Sequence, residues 1–224
     1  MDIKINKDKI KNFFSYYGWL VLVAIIVSFA GWYYVINTIN EYAPNELIKF
    51  FIEAYQIKDD KIFNDLSDYL KEDGVQKIDV HTYSPDSKQI GDYYTAFGKS
   101  SDIIILHSKD LLDMSEAVSE DFISINAEFE AEMMENVNEI YDFYTFENNK
   151  YAIKIYSADD DEYNQRFTYQ NWINFNAEEK EKYDYYMLFS KNSLNFGEYN
   201  EAYLSKNAIK AVNYILKESI NEAK

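Results

Sequence analysis

The stretch "SSDIIILHSKDLL", residues 100–112, sets four apolar residues, Ile103 to Leu106, directly before His107, Ser108, Lys109 and Asp110. A run that is apolar at every position, not at every second one, is the pattern of a strand covered on both faces. The polar cluster then falls at the carboxyl end of that strand, where open α/β sheets bind their ligands. How the neighbouring segments read decides whether such a sheet exists.

Two earlier runs are of the same kind. "LIKFFIEAY" (Leu47 to Tyr55) is a strongly apolar run of strand length, and "VQKIDVHTY" (Val75 to Tyr83) carries apolar Val75, Ile78 and Val80. Between them, "DDKIFNDLSDYLKEDG" places Ile62, Leu66 and Leu70 at i, i+4 and i+8, with Asp59 or Asp60 to cap the start and Gly74 to end it. That is an amphipathic helix. After the second strand, "SPDSKQIGDYYTAFG" predicts a helix with Ser84 as N-cap, Pro85 at the first helical position and Ile90, Tyr94 and Phe97 on one face. The order strand-helix-strand-helix-strand, with strand starts about 28 residues apart, predicts right-handed crossovers and parallel pairing. The expected class is α/β, a three-layer αβα domain with a mostly parallel sheet over residues 47–224.

The second half is less regular. Phe129, Met133, Val137 and Ile140 share one face of a helix over residues 128–141, and "DFYTFENNKYAIKIY" predicts a hairpin turning at Glu147–Lys150. Residues 184–190 read as one more strand, and the chain closes on a helix with Ile209, Val212 and Leu216 inward and Ser205 to cap it.

No charged residue occurs between Lys11 and Glu41, and Tyr16 to Ile36 are almost purely apolar. As a helix these 21 residues span about 31 Å, the thickness of a bilayer's hydrocarbon core. Tyr16, Tyr17 and Trp19 lie at one end and Trp32, Tyr33 and Tyr34 at the other, as in the aromatic belts of a spanning helix. Lys4, Lys7, Lys9 and Lys11 precede the run, while Glu41 and Glu46 follow it. The expectation is a single-pass cell-membrane protein: residues 1–15 cytoplasmic, 16–38 spanning, 39–46 a linker and 47–224 extracytoplasmic. The competing reading is a signal peptide cleaved after Ser28-Phe29-Ala30.

The chain has a net charge of −17 and no cysteine. The first 40 residues hold four Lys and two Asp, so residues 41–224 carry 18 basic and 37 acidic side chains. Such a surface is a poor partner for nucleic acid. Without cysteine there are no disulfides, thiolate metal sites or cysteine nucleophiles.

Tyr55 and Gln56 follow the first strand, Tyr83 and Ser84 the second, and His107, Ser108 and Lys109 the third. Aromatic faces and hydrogen-bonding groups at three strand ends are the means of holding a small sugar or peptide; the bland reading is that Ser108 caps the next helix and His107 lies on the surface. Adjacent residues at a strand end point to opposite sides, so Ser108 is badly placed for activation by His107. His81 and His107, the two histidines, read as unrelated, because no spacing supplies a further metal ligand. "ADDDEYN" (Ala158 to Asn164) lacks the spacing of a calcium loop, so Asp159–Asp161 read as a solvated loop. In "YNQRFTYQNWINF" (Tyr163 to Phe175), Tyr169 and Trp172 either present themselves to a protein partner or pack over a sheet edge. No catalytic residue, cofactor or metal is expected.

The order of elements, together with "IKFFIEAY", "KIDVHTYSPD", "YYTAFGKSSDIIILHSKDLL" and "YTFENNKYAIKIY", resembles lobe one of the type 2 periplasmic-binding-protein fold, especially extracellular sugar-binding proteins. In that family a Gly-Lys-x-Tyr-Gly-Ile-Pro strand crosses to lobe two. Here Asn149-Lys150-Tyr151-Ala152-Ile153-Lys154 stands in its place, without the Gly and Pro. "YYMLFSKNSLNFGEY" resembles the returning strand. Only 26 residues separate Tyr156 from Tyr183, too few for a second lobe. The resemblance therefore implies a one-lobed, membrane-tethered binding or accessory subunit of a sugar-type ABC importer, with permease subunits as partners. The alternative is a structural or protein-interaction module of the cell envelope that has lost ligand binding.

Overall fold

The computed structural model describes residues 7–40, 42–87, 90–175, 182–200 and 203–221. It divides into two compact units, Met1–Glu41 and Tyr42–Lys224. In the first, helix α1 spans Lys7–Asn40. Its stretch Ser15–Tyr33 is long and apolar enough to cross a membrane, and no part of it is buried within the protein; a signal sequence has the same character. Lys4, Glu41 and the rings of Tyr34 and other side chains beyond Tyr33 lie outside the described set.

The second unit runs β1 (Leu47–Glu53), β2 (Gln56–Ile57), α2 (Lys61–Leu70), β3 (Lys77–Tyr83), α3 (Ile90–Ala96), β4 (Ile103–His107), α4 (Ser108–Asp113), α5 (Ser115–Asp121), α6 (Ala127–Met133), β5 (Phe143–Phe146), β6 (Asn149–Tyr156), α7 (Asp161–Gln165), α8 (Tyr169–Trp172), β7 (Ile173–Asn174), β8 (Tyr185–Phe189) and α9 (Asn207–Glu218). Six strands form one sheet in the order β3-β1-β4-β8-β6-β5, and β2 pairs with β7 in a separate ribbon.

The βαβαβ half is as expected: β1 pairs in parallel with β3 (Leu47 opposite Lys77) and with β4 (Phe50 opposite Ile103). Every pairing beyond β4 is antiparallel, so the sheet is mixed and not mostly parallel. Two causes account for this, one local and one long-range. Glu147 and Asn148 have φ of 49° and 67°, a two-residue turn that forces β5 and β6 into a hairpin. Residues 157–184 leave the end of β6 and re-enter beside it, with Tyr156 opposite Tyr185, so β8 must run back along β6.

Side chains alternate across the central strands and feed two cores. Phe50, Ile52, Ile103, Ile105, Met187 and Phe189 pack with α2, α6 and α9. Phe51, Ile104, Leu106 and Leu188 pack with Tyr94 of α3, Leu111 of α4 and Val118 of α5. Helices therefore line both faces. At the amino end of β4 the buried carboxylate of Asp102 accepts from Lys49 N (2.7 Å), Ser193 Oγ (2.5 Å) and Asn195 Nδ2 (3.0 Å). Asn195 Nδ2 also donates to Pro44 O at 3.0 Å. This knot fixes the start of β1.

Two expected helices differ. Ser84 and Pro85 do not start α3; they lie in a turn closed by Ser87 N donating to Ser84 O (3.0 Å) and by the Tyr83 hydroxyl on Ser87 O. Residues 88–89 lie outside the described set. Helix α6 stops at Met133 because Asn136 takes a left-handed φ of 60°. Ile140 is consequently 79% exposed, not inward.

Leu66, fully buried on α2, should cost about 2–5 kcal/mol when changed to Ala. Ile140→Ala should change stability by no more than about 0.5 kcal/mol. Denaturant unfolding measures both, and a large effect at Ile140 would contradict the end of α6 at Met133.

Candidate functional site

The strand order β3-β1-β4 reverses direction between β1 and β4: the chain passes to one side of β1 first and to the other afterwards. Helix α2, which follows β1, packs on one face, and α4, which follows β4, on the other. Divergent connections leave a crevice outside the carboxyl ends of β1 and β4, the place where open α/β sheets take ligands. The residues there are Glu53, ending β1, and His107, ending β4.

Both are buried, Glu53 completely and His107 to 3% exposure. His107 N donates to Glu53 Oε2 (2.9 Å). The His107 ring caps α4, Nδ1 accepting from Asp110 N at 3.1 Å. Nε2 lies 3.2 Å from Glu53 Oε1 and 3.9 Å from Asp110 Oδ1. The Tyr183 ring covers the imidazole at 4.6 Å, and Tyr185 meets it edge-on at 6.0 Å. Glu53 Oε1 has no well-directed hydrogen bond among the described residues.

Electrostatics follows from burial. Loss of water pushes the Glu53 carboxyl up to about 9; the His107 N–H opposes this and the Asp110 carboxylate adds to it. Burial likewise holds His107 below its ordinary range, against the pull of Asp110. At neutral pH the pair is a neutral imidazole beside a protonated carboxyl.

Glu53, His107 and Asp110 offer ligand atoms within 4.8 Å of one another, spacing that a metal ion could use. The tautomer opposes it. Nδ1 accepts a backbone N–H, so Nε2 carries the ring proton, and ligation through Nε2 would turn an Nδ1–H toward Asp110 N–H. The arrangement stores a proton among buried side chains. It does not activate Ser108, since both ring nitrogens face other partners.

The other expected site residues scatter. Tyr83 is buried, stacked 6.3 Å from Phe51, and Ser84 is exposed in the turn. The Tyr55 hydroxyl donates to Asp86 Oδ1 at 3.3 Å. Gln56 is exposed on β2, opposite Asn174 of β7. Lys109 is exposed and Ser108 half-buried, its N–H donating to Asp184 O (2.8 Å). His81 is not beside His107: β1 separates their strands, and His81 stacks on Phe97 (4.7 Å) and meets Asp79 (3.3 Å). Tyr169 and Trp172 are core residues, 1% and 6% exposed. The Tyr169 hydroxyl lies 3.2 Å from that of Tyr141, and Trp172 packs on Phe63 at 5.6 Å. In "ADDDEYN", Asp160 caps α7 by accepting from Tyr163 N (2.8 Å).

Sequence reasoning missed Glu53 and Asp184, and placed Asp110 in the strand-end cluster without giving it a role. Burial works to raise the Asp184 pKa, but Lys154 Nζ (2.8 Å) and Ala158 N (2.8 Å) outweigh it and leave the carboxyl below its ordinary range. Asp184 thereby ties the 157–184 excursion to the strand ends. The available signal at Glu53 was its position: a carboxylate inside a run apolar on both faces must be paired or neutral.

Folding makes Glu53 hold a proton that the unfolded chain releases between 4.5 and about 9, so its effect lowers stability as pH rises through that window, by at most about 1.4 kcal/mol per pH unit. His107, held low, loses stability for the fold only as pH falls below 6.5. Above 6.5 the Glu53 effect acts without it. Thermal unfolding should therefore show a melting temperature that falls from pH 6.5 toward pH 9, and Glu53→Gln should flatten that fall. An unchanged slope in the variant would contradict a protonated Glu53.

Comparison with protein-family models, with curated proteins and with solved structures finds no match for this chain.

Proposed function

We propose that this chain is a non-enzymatic accessory module, anchored by α1 with its N-terminus in the cytoplasm and its α/β domain outside, that works through protein contacts in a solute importer of the ABC type. One observation carries the protein-contact reading. The crevice at the carboxyl ends of β1 and β4 is filled by the chain's own side chains, with Glu53 and His107 buried and Tyr183 lying over the imidazole.

The lysines ahead of the apolar run and the acidic excess after it support the orientation. The importer assignment rests on the resemblance to one lobe of a solute-binding protein. In its support, β8, which resembles the family's returning strand, sits between β4 and β6. The described part of residues 157–184 forms α7, α8 and β7, short elements of which β7 pairs with β2 just beyond β1. Closure of two lobes on a ligand, the usual device of such proteins, finds no second wall among the described residues.

One observation favours a second reading, solute binding by the domain itself. Glu53 Oε1 is a fully buried polar atom without a well-directed partner, at the point where the sheet's topology places ligands.

Cross-linking of the full chain in its native membrane, followed by identification of what co-purifies, tests the first reading. Permease subunits of an importer are expected, and recovery of the chain alone would contradict it. Thermal unfolding against a panel of mono- and disaccharides separates the two readings: a sugar at 100 times its Kd adds about 2.7 kcal/mol, so a clear rise in melting temperature would favour direct binding.

A further inference from the structure

On the sheet face that carries α3, α4 and α5, an open, mainly apolar groove of about 280 Å³ lies between α3 and the α4–α5 pair. Tyr94, Met114 and Ala117 line it, together with the carboxylates of Asp110, Asp113 and Asp121 and, among the described residues, one cation, Lys99. Tyr94 is only 6% exposed, its ring held against Phe51 and Phe122 (6.1 and 6.4 Å). Its hydroxyl has no hydrogen-bond partner among the described residues, and the charge it senses is that of Asp121 on the same groove.

We infer that this groove is a docking site for a basic side chain, Lys or Arg, presented by a partner polypeptide. Apolar walls suit the aliphatic stem of such a side chain, while the charged head reaches carboxylates at the edge. The Tyr94 hydroxyl supplies a further polar contact. Net charge favours the same partner: a chain at −17 steers a cationic surface toward itself. A polypeptide is favoured over a free amine because the groove walls away from the carboxylates are apolar, lined by Tyr94, Met114 and Ala117. Those side chains offer contact area that a small cation cannot use. The inference stands on the groove alone and does not require the partner to be a permease.

Gly91 supplies the cleanest test. It lines the groove, and a Cβ there meets nothing within 4 Å, so Gly91→Phe should fill the groove without disturbing the core, in a helix where Gly is itself unfavourable. The probe is a fluorescein-labelled, end-capped Gly-Leu-Arg-Leu-Gly peptide, titrated by anisotropy onto the full chain in detergent micelles. Its citrulline counterpart and N-acetyl-arginine amide are run beside it. Saturable binding of the Arg peptide is expected, weakened about tenfold or more by citrulline, by high salt, by the Asp113→Asn/Asp121→Asn pair and by Gly91→Phe. Gly91→Phe should keep the wild-type melting temperature, and Tyr94→Phe should weaken binding about threefold. Equal binding of the citrulline peptide, undiminished binding by Gly91→Phe, or no binding up to the order of 1 mM would overturn the proposal. So would N-acetyl-arginine amide binding as tightly as the peptide, which would point to a free small cation.

Discussion

The domain depends on burying β1 and β4 on both faces at once. Phe50, Ile52, Ile103 and Ile105 point into one core, while Phe51, Ile104 and Leu106 point into the other. Two adjacent parallel strands of this kind are stable only with helices above and below them. Once α2 leaves β1 on one face and α4 leaves β4 on the other, the carboxyl ends of the two strands open into a crevice. At the opposite end Asp102 ties the start of β1 to the loop at Ser193 and Asn195. The crevice is thus held between elements fixed elsewhere, and the chemistry at its floor, Glu53 against His107, is a consequence of the sheet's order.

That order was legible in the chain from Leu47 to His107 because unbroken apolar runs and an i, i+4, i+8 stripe are local signals. The hairpin of β5 and β6 was legible too, since aromatic runs flank a polar Glu-Asn-Asn turn. The direction of β8 was not: it depends on where residues 157–184 return to the sheet, a long-range fact with no local marker. Ser84-Pro85 carries a helix-start signature, yet here the pair makes a turn, and Asn136 ends α6 where the apolar spacing continues to Ile140. In both places a backbone turn overrides side-chain periodicity.

The candidate site was half legible. His107 stood out as a polar residue ending an apolar strand, but as a surface residue rather than a buried helix cap. Its partner Glu53 comes from a strand more than fifty residues earlier, and only the pairing of β1 with β4 brings them together. Tyr169 and Trp172 lie in a polar stretch, which left both a partner surface and packing over a sheet edge open. Short helices turn them inward against Tyr141 and Phe63, the packing alternative. These rings belong to the segment whose strand β7 pairs with β2 just beyond the end of β1.

The central claim is that the crevice is closed by a neutral His107 whose Nδ1 caps α4 while Nε2–H faces Glu53 and Asp110. Histidine-selective ¹⁵N NMR of the full chain measures this directly, with His81→Gln to assign the two rings. The account predicts an Nε2–H tautomer for His107 that stays neutral as pH falls through 6.5. An imidazolium forming at the ordinary histidine pKa, or an Nδ1–H tautomer, would contradict the buried cluster and with it the closed crevice.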